Sequence, residues 1–293
     1  MLMKKVLLLF SATIITSLIH GQFIINPAVS TNPNGSFENA TQTFPANGWT
    51  VVNGTDNHWR VGNITNCVGT NSAYIGQSAG VNTYTNVSSI NHFYRDVTFP
   101  SSPTCFTLSF NWKAQGESSY DRIRVYLVPT SSTISAGSLP TGGIELTTTY
   151  LSGNTTCQTF STTIPASNAG TTKRLVFTWQ NDGSINGSTA ATVDNISLTY
   201  QAPSAPSCAT ALNPANLATN FSPCTPIAWD QPSSSGCNAI TSYDIYLGTS
   251  PTPPFLANTT STSYQAQLNF NQTYYYQIVP KNAIGDAVGC PVL

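Results

Sequence analysis

The sequence predicts an all-β protein, and three observations lead to that prediction. Apolar and polar residues alternate with a period of two along several segments, which is the pattern of half-buried strands. Clusters of Gly, Asn, Ser and Pro separate these segments, as turns do in antiparallel sandwiches. No segment after the first 21 residues has the 3.6-residue apolar period of an amphipathic helix. We therefore expect β-sandwich architecture throughout.

Four strands are predicted in the first two-thirds of the chain. They are residues 106–112, 123–128, 175–179 and 192–200. The first alternates most cleanly, and its aromatic and Leu side chains share one face that we expect to be buried. The polar stretch 75–91 is predicted to be a loop or a short edge strand.

The N-terminus has the features of an export signal. Lys4 and Lys5 form a basic start, and residues 6–19 are almost wholly apolar. That run is too short for a transmembrane helix and matches a secretory signal peptide. We expect residues 1–21 to be removed, so that the chain is secreted or held at the outer cell surface. No later apolar run reaches about 18 residues, so no transmembrane segment is predicted.

The composition excludes several classes of protein. Charged residues make up 7% of the chain, far below the usual ~25%, and the net charge is −1. There is thus no basic surface for nucleic acid. Aromatic residues make up 11%, and together with frequent aliphatic residues they can bury a core, which argues against disorder.

A second β unit follows a linker. Residues 201–206 contain two prolines and are predicted to be an extended spacer. The strands predicted after it are residues 227–229, 242–247 and 273–279. Tyr274 lies six residues after Leu268, which is the place for a tyrosine corner before a penultimate strand.

The features of this second unit match a known module. They are Trp229 and the segments 243–249, 268–274 and 279–286. With them, residues 207–293 resemble a fibronectin type III domain of secreted bacterial proteins. Such a domain needs a final strand after residues 290–292, of which this chain has very little. The resemblance therefore implies a truncated domain with an open sheet edge, and further domains in a longer protein.

Residues 22–200 are predicted to form one domain, and about residues 35–200 of it resemble another family. The matching residues are Phe37-Glu38, Gly48-Trp49, Trp59, 71–75, 93–96, 108–112 and 193–196. They are similar to the choice-of-anchor J, or cleaved-adhesin, jelly roll, a relative of the MAM domain. The resemblance implies a jelly-roll sandwich in a surface or secreted protein of bacteria with type IX secretion. Members serve in adhesion or accompany secreted enzymes.

The same resemblance implies a cation site. In related jelly rolls the positions of Glu38 and Asp194 bind a cation, and Asp56 resembles a further acidic ligand of MAM domains. A structural Ca²⁺ is the candidate, because calcium takes six to eight oxygen ligands from carboxylates and carbonyls. The alternative is that these carboxylates cap turns or accept backbone N–H bonds.

All seven cysteines follow the export segment, so they are disulfide candidates. None forms the CxxC pairs of a zinc site. Their positions beside predicted strands favour three pairs. The pairs are Cys105–Cys157, Cys237–Cys290 and Cys208–Cys224. Cys67 is then left over, either free or paired outside this chain.

No catalytic constellation is recognisable. The segment from Gly76 to Gly80 matches G-x-S-x-G, but a nucleophile elbow needs a following helix and none is predicted, so a polar turn is expected. His58 and His92 lie in no motif and are expected at the rim. We therefore interpret the chain as a protein without catalytic residues.

Exposed aromatic side chains stack on sugar rings, and jelly rolls include many carbohydrate-binding modules. Trp59, Tyr84 and Tyr120 lie in polar segments and are the candidates for a ligand site, although core packing is an equal alternative for Trp59. The predicted function is non-catalytic binding to glycan or protein ligands, as in adhesion. The alternative is that these are accessory domains of a secreted peptidase or glycosidase whose catalytic domain lies outside this chain.

Overall fold

The computed structural model describes residues 22–28, 35–102, 105–184 and 189–293. The predicted export segment, residues 1–21, lies outside the described residues. The described part contains seventeen strands, two short 3-10 helices and no α-helix, so the predicted all-β fold is confirmed. No helix in it is long and apolar enough to cross a membrane.

Eleven strands of the described chain precede residue 202 and form two antiparallel sheets. They are β1 Gln22–Ile25, β2 Thr50–Val52, β3 His58–Gly62, β4 Ser72–Gly76, β5 Ser89–Thr98, β6 Cys105–Ala114, β7 Arg122–Pro129, β8 Ile144–Glu145, β9 Asn154–Ile164, β10 Thr172–Asn181 and β11 Thr192–Gln201. The six-stranded sheet has the order β3-β4-β11-β6-β9, with β1 also paired to β11. The five-stranded sheet has the order β2-β5-β10-β7-β8.

The two sheets pack face to face around one apolar core, as period-2 patterning requires. All four strands predicted in this part are found, and each is extended by up to three residues at an end. The predicted inward face of β6 is buried, and so is the matching face of β10. These side chains are Phe106, Leu108, Phe110 and Trp112 on β6, and Leu175, Phe177 and Trp179 on β10. The stretch 77–88 has no strand.

Aromatic rings dominate this core. Phe93 and Phe177 are stacked with their centroids 4.9 Å apart. Trp59 meets Phe93 edge to face at 4.9 Å, and Trp49 does the same at 5.3 Å. Such pairs each add about 0.5–1.5 kcal/mol beyond the burial of apolar surface. The segment from β2 to β3 is thereby attached to the centre of the sandwich.

The last third of the chain forms two smaller sheets. Its strands are β12 Thr210–Asn213, β13 Ile227–Asp230, β14 Ser242–Gly248, β15 Phe255–Thr259, β16 Ser263–Tyr264 and β17 Tyr275–Lys281. One sheet has the order β12-β13-β16 and the other β15-β14-β17. Trp229 and Tyr243 pack together between them, with ring centroids 5.4 Å apart.

Hydrogen bonds of Tyr274 and of Leu293 lie next to strand β17 of this unit. Tyr274 Oη accepts a hydrogen bond from the Asn269 backbone N–H at 3.0 Å, which is the corner arrangement that the sequence predicts. Leu293 pairs with Tyr276 through both backbone groups, at 3.0 and 2.9 Å. Further along β17, the Ala287 N–H donates to Pro280 O at 2.8 Å and Lys281 forms a β-bridge with Asp286.

The predicted spacer is not a free linker. The Ser204 backbone N–H donates to Gly236 O at 3.0 Å, and Asn282 Nδ2 donates to Ser204 O at 2.8 Å. A Cβ on Gly236, whose φ is +66°, would lie 2.0 Å from Ser204 O. The segment is therefore packed onto the second unit, and glycine is required where the two backbones meet.

The disulfides differ from the predicted pairs. The structure joins Cys67 to Cys157, Cys105 to Cys237 and Cys208 to Cys290, with Cα–Cα distances of 5.6, 5.8 and 5.2 Å. Each distance is normal for a disulfide. The exposed Cys224 is the free thiol of the described chain.

Antiparallel pairing explains why the predicted bond between Cys105 and Cys157 is wrong. Cys105 begins β6, whereas Cys157 follows the irregular stretch of β9 next to Gln158, which is paired with Trp112 near the other end of β6. Eight residues of strand separate the two ends by roughly 27 Å. The loop containing Cys67 lies at that far end, where Lys113 Nζ donates to Asn66 O at 3.1 Å.

The near end of β6 explains the second bond. Cys105 is opposite Gln201, the last residue of β11, so it lies where the chain leaves the first sandwich. It is bonded there to Cys237 of the second unit. Cys237 is thus unavailable to Cys290, which pairs with Cys208, and the predicted partner Cys224 stays free.

Candidate functional site

The two carboxylates predicted as cation ligands meet at one loop, residues 65–71. Glu38 Oε1 accepts the backbone N–H groups of Thr70 and Asn71 at 2.7 and 3.0 Å. A Cβ on Gly69 would lie 2.3 Å from this oxygen, and Gly69 has a φ of +68°, so glycine fits there.

Asp194 binds the other part of the same loop. Its Oδ2 accepts the backbone N–H groups of Cys67 and Val68 at 3.0 and 2.8 Å, and its Oδ1 accepts that of Asn195 at 2.7 Å. The carboxylate is fully buried. Burial raises the pKa of Asp194 from 3.8 to about 6 against the lowering effect of these hydrogen bonds, and the charge of Glu38 raises it further.

The donor set is smaller than the sequence predicts for a calcium site. Asp56 does not join the pair, and its carboxylate instead accepts the Thr55 hydroxyl at 2.7 Å. Among the described residues no three His, Cys, Asp or Glu side chains are grouped so that they could hold a metal. The three-carboxylate arrangement is therefore wrong. Glu38 and Asp194 remain, and both accept backbone N–H groups, which is the alternative to a cation site that the sequence also allows. Calcium binding by Glu38 and Asp194 stays a prediction.

Two of the three predicted ligand-binding aromatics are core residues. Trp59 is 2% exposed and donates from its indole N–H to Asn91 O at 3.0 Å. Tyr84 is also 2% exposed, packs against Trp179 and donates to Asp121 Oδ2 at 2.5 Å. Both are too deep for a ligand, because long-range aromatic packing covers them despite their polar neighbours in sequence. Tyr120 is exposed, as predicted.

Ser78 and His92, which were considered for catalysis from the sequence, lie in surroundings typical of non-catalytic residues. Ser78 lies in an exposed turn after β4 with no helix following, as expected. His92 is fully buried rather than at the rim. Its Nδ1 accepts the Thr178 hydroxyl at 2.9 Å, and its Nε2 faces Ser135 O and Ser138 O, both at 3.1 Å. Burial lowers the pKa of His92, so the ring is neutral.

The outer face of the five-stranded sheet is covered over most of its length. The residues from 130 to 143, here called the cover loop, lie across it. Ile134 and Leu139 of the loop pack against Tyr126, and Gly137 N–H donates to Ile90 O at 2.8 Å. His92 is buried by the same loop, which is why an edge position was wrongly expected from sequence.

One corner of this face stays open and contains a pocket of about 220 Å³. It lies where β7 begins, between that strand and the segment following β8. Its lining includes Arg122, Arg124, Glu145 and the three threonines 147–149. Tyr150 closes one side and is 59% exposed, with the Arg122 guanidinium 4.5 Å from the centre of its ring.

Strand periodicity places the charged groups here. On β7, Ile123, Val125 and Leu127 point into the core, so Arg122 and Arg124 point outward. Arg124 Nε donates to Glu145 Oε1 at 2.8 Å, and a second, short contact joins Nη2 to Oε2. Arg124 Nη1 also donates to Gln180 at 3.0 Å.

A second cavity, of about 760 Å³, lies in the C-terminal unit. It is bordered by residues 214–223 and 268–276 and by Leu293. Leu293 and Tyr276, which pair with each other through their backbones, both line it.

The comparisons with known proteins give structural likeness only. No family model matches the chain, and no curated protein matches it. Solved structures similar to it include the CBM22-1 xylan-binding domain from Paenibacillus barcinonensis Xyn10C, at 11% identity and a TM-score of 0.37, covering 63% of this chain and 97% of that one. Another is TmCBM61 in complex with β-1,4-galactotriose, at 12% identity and a TM-score of 0.34, covering 59% of this chain and 100% of that one. At these values the likeness does not indicate what this chain binds.

The pocket residues were missed from sequence. Arg122 stands one residue before the predicted strand 123–128, and Tyr150 lies in a polar segment with no strand pattern. Arg122 and Arg124 occupy the outward-facing positions of β7, and this pattern could have indicated the site from sequence, because charged residues are scarce in this chain. The approach of Tyr150 to Arg122 depends on the pairing of Leu151 with Ile123, which no local pattern indicates.

Proposed function

We propose that this protein is an extracellular, non-catalytic glycan-binding protein that uses the pocket beside Tyr150. The single observation that supports it is this pocket, which combines an exposed aromatic ring with hydroxyl, carboxylate and guanidinium groups. Sugars are recognised by that combination, since an aromatic ring packs against the C–H face and polar groups bind the hydroxyls.

The size of the pocket favours a small unit of a larger ligand. Its volume of about 220 Å³ is below the ~300–1,000 Å³ of sites that enclose drug-sized molecules. A single sugar residue on a longer chain is the ligand that suits it. The three disulfides of the described chain support an oxidising compartment, and the predicted export signal supports the same location.

The non-catalytic role rests on the chemistry of the candidate groups. His92 is buried against two carbonyls and a threonine hydroxyl and has no carboxylate partner among the described residues. Glu38 and Asp194 accept backbone N–H groups of a structural loop instead of facing a cleft. Binding, as in adhesion to a glycan surface, is the function we infer. An accessory role beside a hydrolase would use the same pocket.

The test is a glycan array with the purified chain, followed by calorimetric titration of the strongest glycan. Tyr150→Ala should weaken binding roughly five- to tenfold, because an aromatic contact is worth on the order of 1 kcal/mol. Tyr120→Ala is the matched control, since Tyr120 is 56% exposed and does not line the pocket. No binding by a folded protein, or equal losses in both variants, would refute the proposal.

A further inference from the structure

The charges around the pocket do not cancel. Arg124 and Glu145 form a bidentate pair, and Gln180 takes up a further donor of Arg124, so this pair contributes no net charge. Arg122 is the remaining charged group of the lining. The pocket therefore has a formal charge of one positive unit, in a chain whose net charge is −1.

Arg122 has donors to spare. Within the described residues it forms no ion pair, and its Nε is buried without a hydrogen-bond partner. Its guanidinium contacts the Tyr150 ring, and its positive charge also acts on the Glu145 carboxylate. An unpaired buried donor is costly, and because Nε has no exposed surface, an acceptor from outside the chain would reach Arg122 through its terminal Nη groups.

The guanidinium also restricts which acceptor fits. Its planar fork matches a carboxylate, which can take two parallel N–H bonds, whereas a neutral hydroxyl takes one. Around it, Thr148 and Thr149 are exposed and supply hydroxyl groups, and Tyr150 supplies a ring face. A ligand that uses all of these carries a carboxylate, hydroxyls and a C–H face on one small ring.

We propose that the pocket binds a carboxylated sugar residue, a hexuronate unit of an acidic polysaccharide, with its carboxylate on Arg122 and its ring against Tyr150. This inference rests on the proposed glycan-binding function and adds the class of sugar. The Arg124–Glu145 pair excludes a second anion, because the Glu145 carboxylate borders the same space. One carboxylate per bound unit is therefore recognised.

The test compares an oligogalacturonate with its methyl ester, which has the same length and linkages but no charge. Calorimetric titration at low salt should show at least tenfold tighter binding of the acid, and the preference should shrink with added salt. Arg122→Gln should abolish the preference, so that the variant binds the acid and the ester with affinities that agree within about twofold. Arg122→Lys, which keeps the charge but lacks the fork, should retain part of it.

Lys173→Gln is the control for the loss of one positive charge, since Lys173 does not line the pocket. It should leave the preference unchanged.

Equal or tighter binding of the ester by the wild-type chain would overturn the acidic-sugar inference and leave the glycan proposal intact. Binding of neither form would overturn the inference. If the glycan array is blank as well, the proposed function fails with it. If the Lys173 and Arg122 variants lost the preference for the acid equally, that preference would depend on net charge alone, and the acidic-sugar inference would also be overturned. Melting curves of each variant confirm that it is folded.

Discussion

Glu38 and Asp194 hold one loop at its two ends: Glu38 accepts the backbone N–H groups of Thr70 and Asn71, and Asp194 accepts those of Cys67 and Val68. The disulfide of Cys67 fixes the loop to β9 as well. Residues near the start and the end of the first sandwich thus converge on the same backbone. Their role in this structure is to close the sandwich.

Asp194 should make stability fall as the pH rises from about 4 to 6. Its pKa is raised by folding, so the folded state binds more protons than the unfolded state between those values. The stabilisation is complete below pH 3.8 and is lost as the pH rises through about 6. A shift of about two units corresponds to about 3 kcal/mol.

Urea unfolding at pH 4, 5, 6 and 7, with a chelator present, measures this effect for the wild type and for Asp194→Asn. The advantage of the wild type over the variant should shrink as the pH rises. His92 acts in the opposite sense, since its neutral form is favoured by folding, but it is common to both proteins and cancels in the difference. A difference that grows with pH would contradict the prediction.

Calcium should stabilise the first sandwich. Two carboxylates of like charge share a partly buried site, so a divalent cation there would favour their ionised forms. At a concentration of 100 times Kd, binding adds about 2.7 kcal/mol and raises the Tm. Thermal unfolding with calcium and with a chelator is the measurement. Glu38→Gln should lose the rise, whereas Asp56→Asn should keep it, because Asp56 does not join the pair.

The strands were accessible from sequence because period-2 patterning determines them, and the meeting of Glu38 with Asp194 was implied by the family resemblance. The disulfides were not accessible, since their partners depend on which end of an antiparallel pair each cysteine occupies. Cys105 and Cys157 both border strand-like runs, yet the register separates them by most of the length of β6.

The burial of individual side chains by loops and distant segments could not be predicted from the sequence either. Tyr84 lies among Asn and Thr residues, and it is buried because Trp179 and Asp121, distant in sequence, cover it. His92 is buried by the cover loop in the same way. The pocket beside Tyr150 arises where that loop ends, so it too depends on contacts between segments that local patterns do not report.

The disulfide pattern predicts one reactive thiol per chain. Cys224 is exposed and unbonded, so a maleimide reagent should label it without prior reduction or unfolding. Peptide mapping of the unreduced protein should find the peptide of Cys67 joined to that of Cys157, and that of Cys105 joined to that of Cys237. Labelling of Cys67 in place of Cys224 would contradict the structure.

Removal of the Cys67–Cys157 disulfide by mutation tests its contribution to stability. The double replacement Cys67→Ser and Cys157→Ser should lower the free energy of unfolding by about 2–5 kcal/mol, because the bond restricts a long loop of the unfolded chain. The matched control is Cys224→Ser, which removes a thiol but no bond and should change stability by less than about 0.5 kcal/mol. Urea unfolding followed by tryptophan fluorescence measures both.

Tyr84 should act on stability and not on ligand binding. Tyr84→Phe keeps the ring against Trp179 but removes the hydrogen bond to the buried Asp121 carboxylate, which should cost about 1–3 kcal/mol. Tyr120→Phe removes an exposed hydroxyl and should change the free energy of unfolding by less than about 0.5 kcal/mol. Glycan titration of both folded variants should give the affinity of the wild type, since neither residue lines the pocket. A folded Tyr84→Phe variant with full stability and weakened glycan binding would restore Tyr84 as a ligand residue and contradict its place in the core.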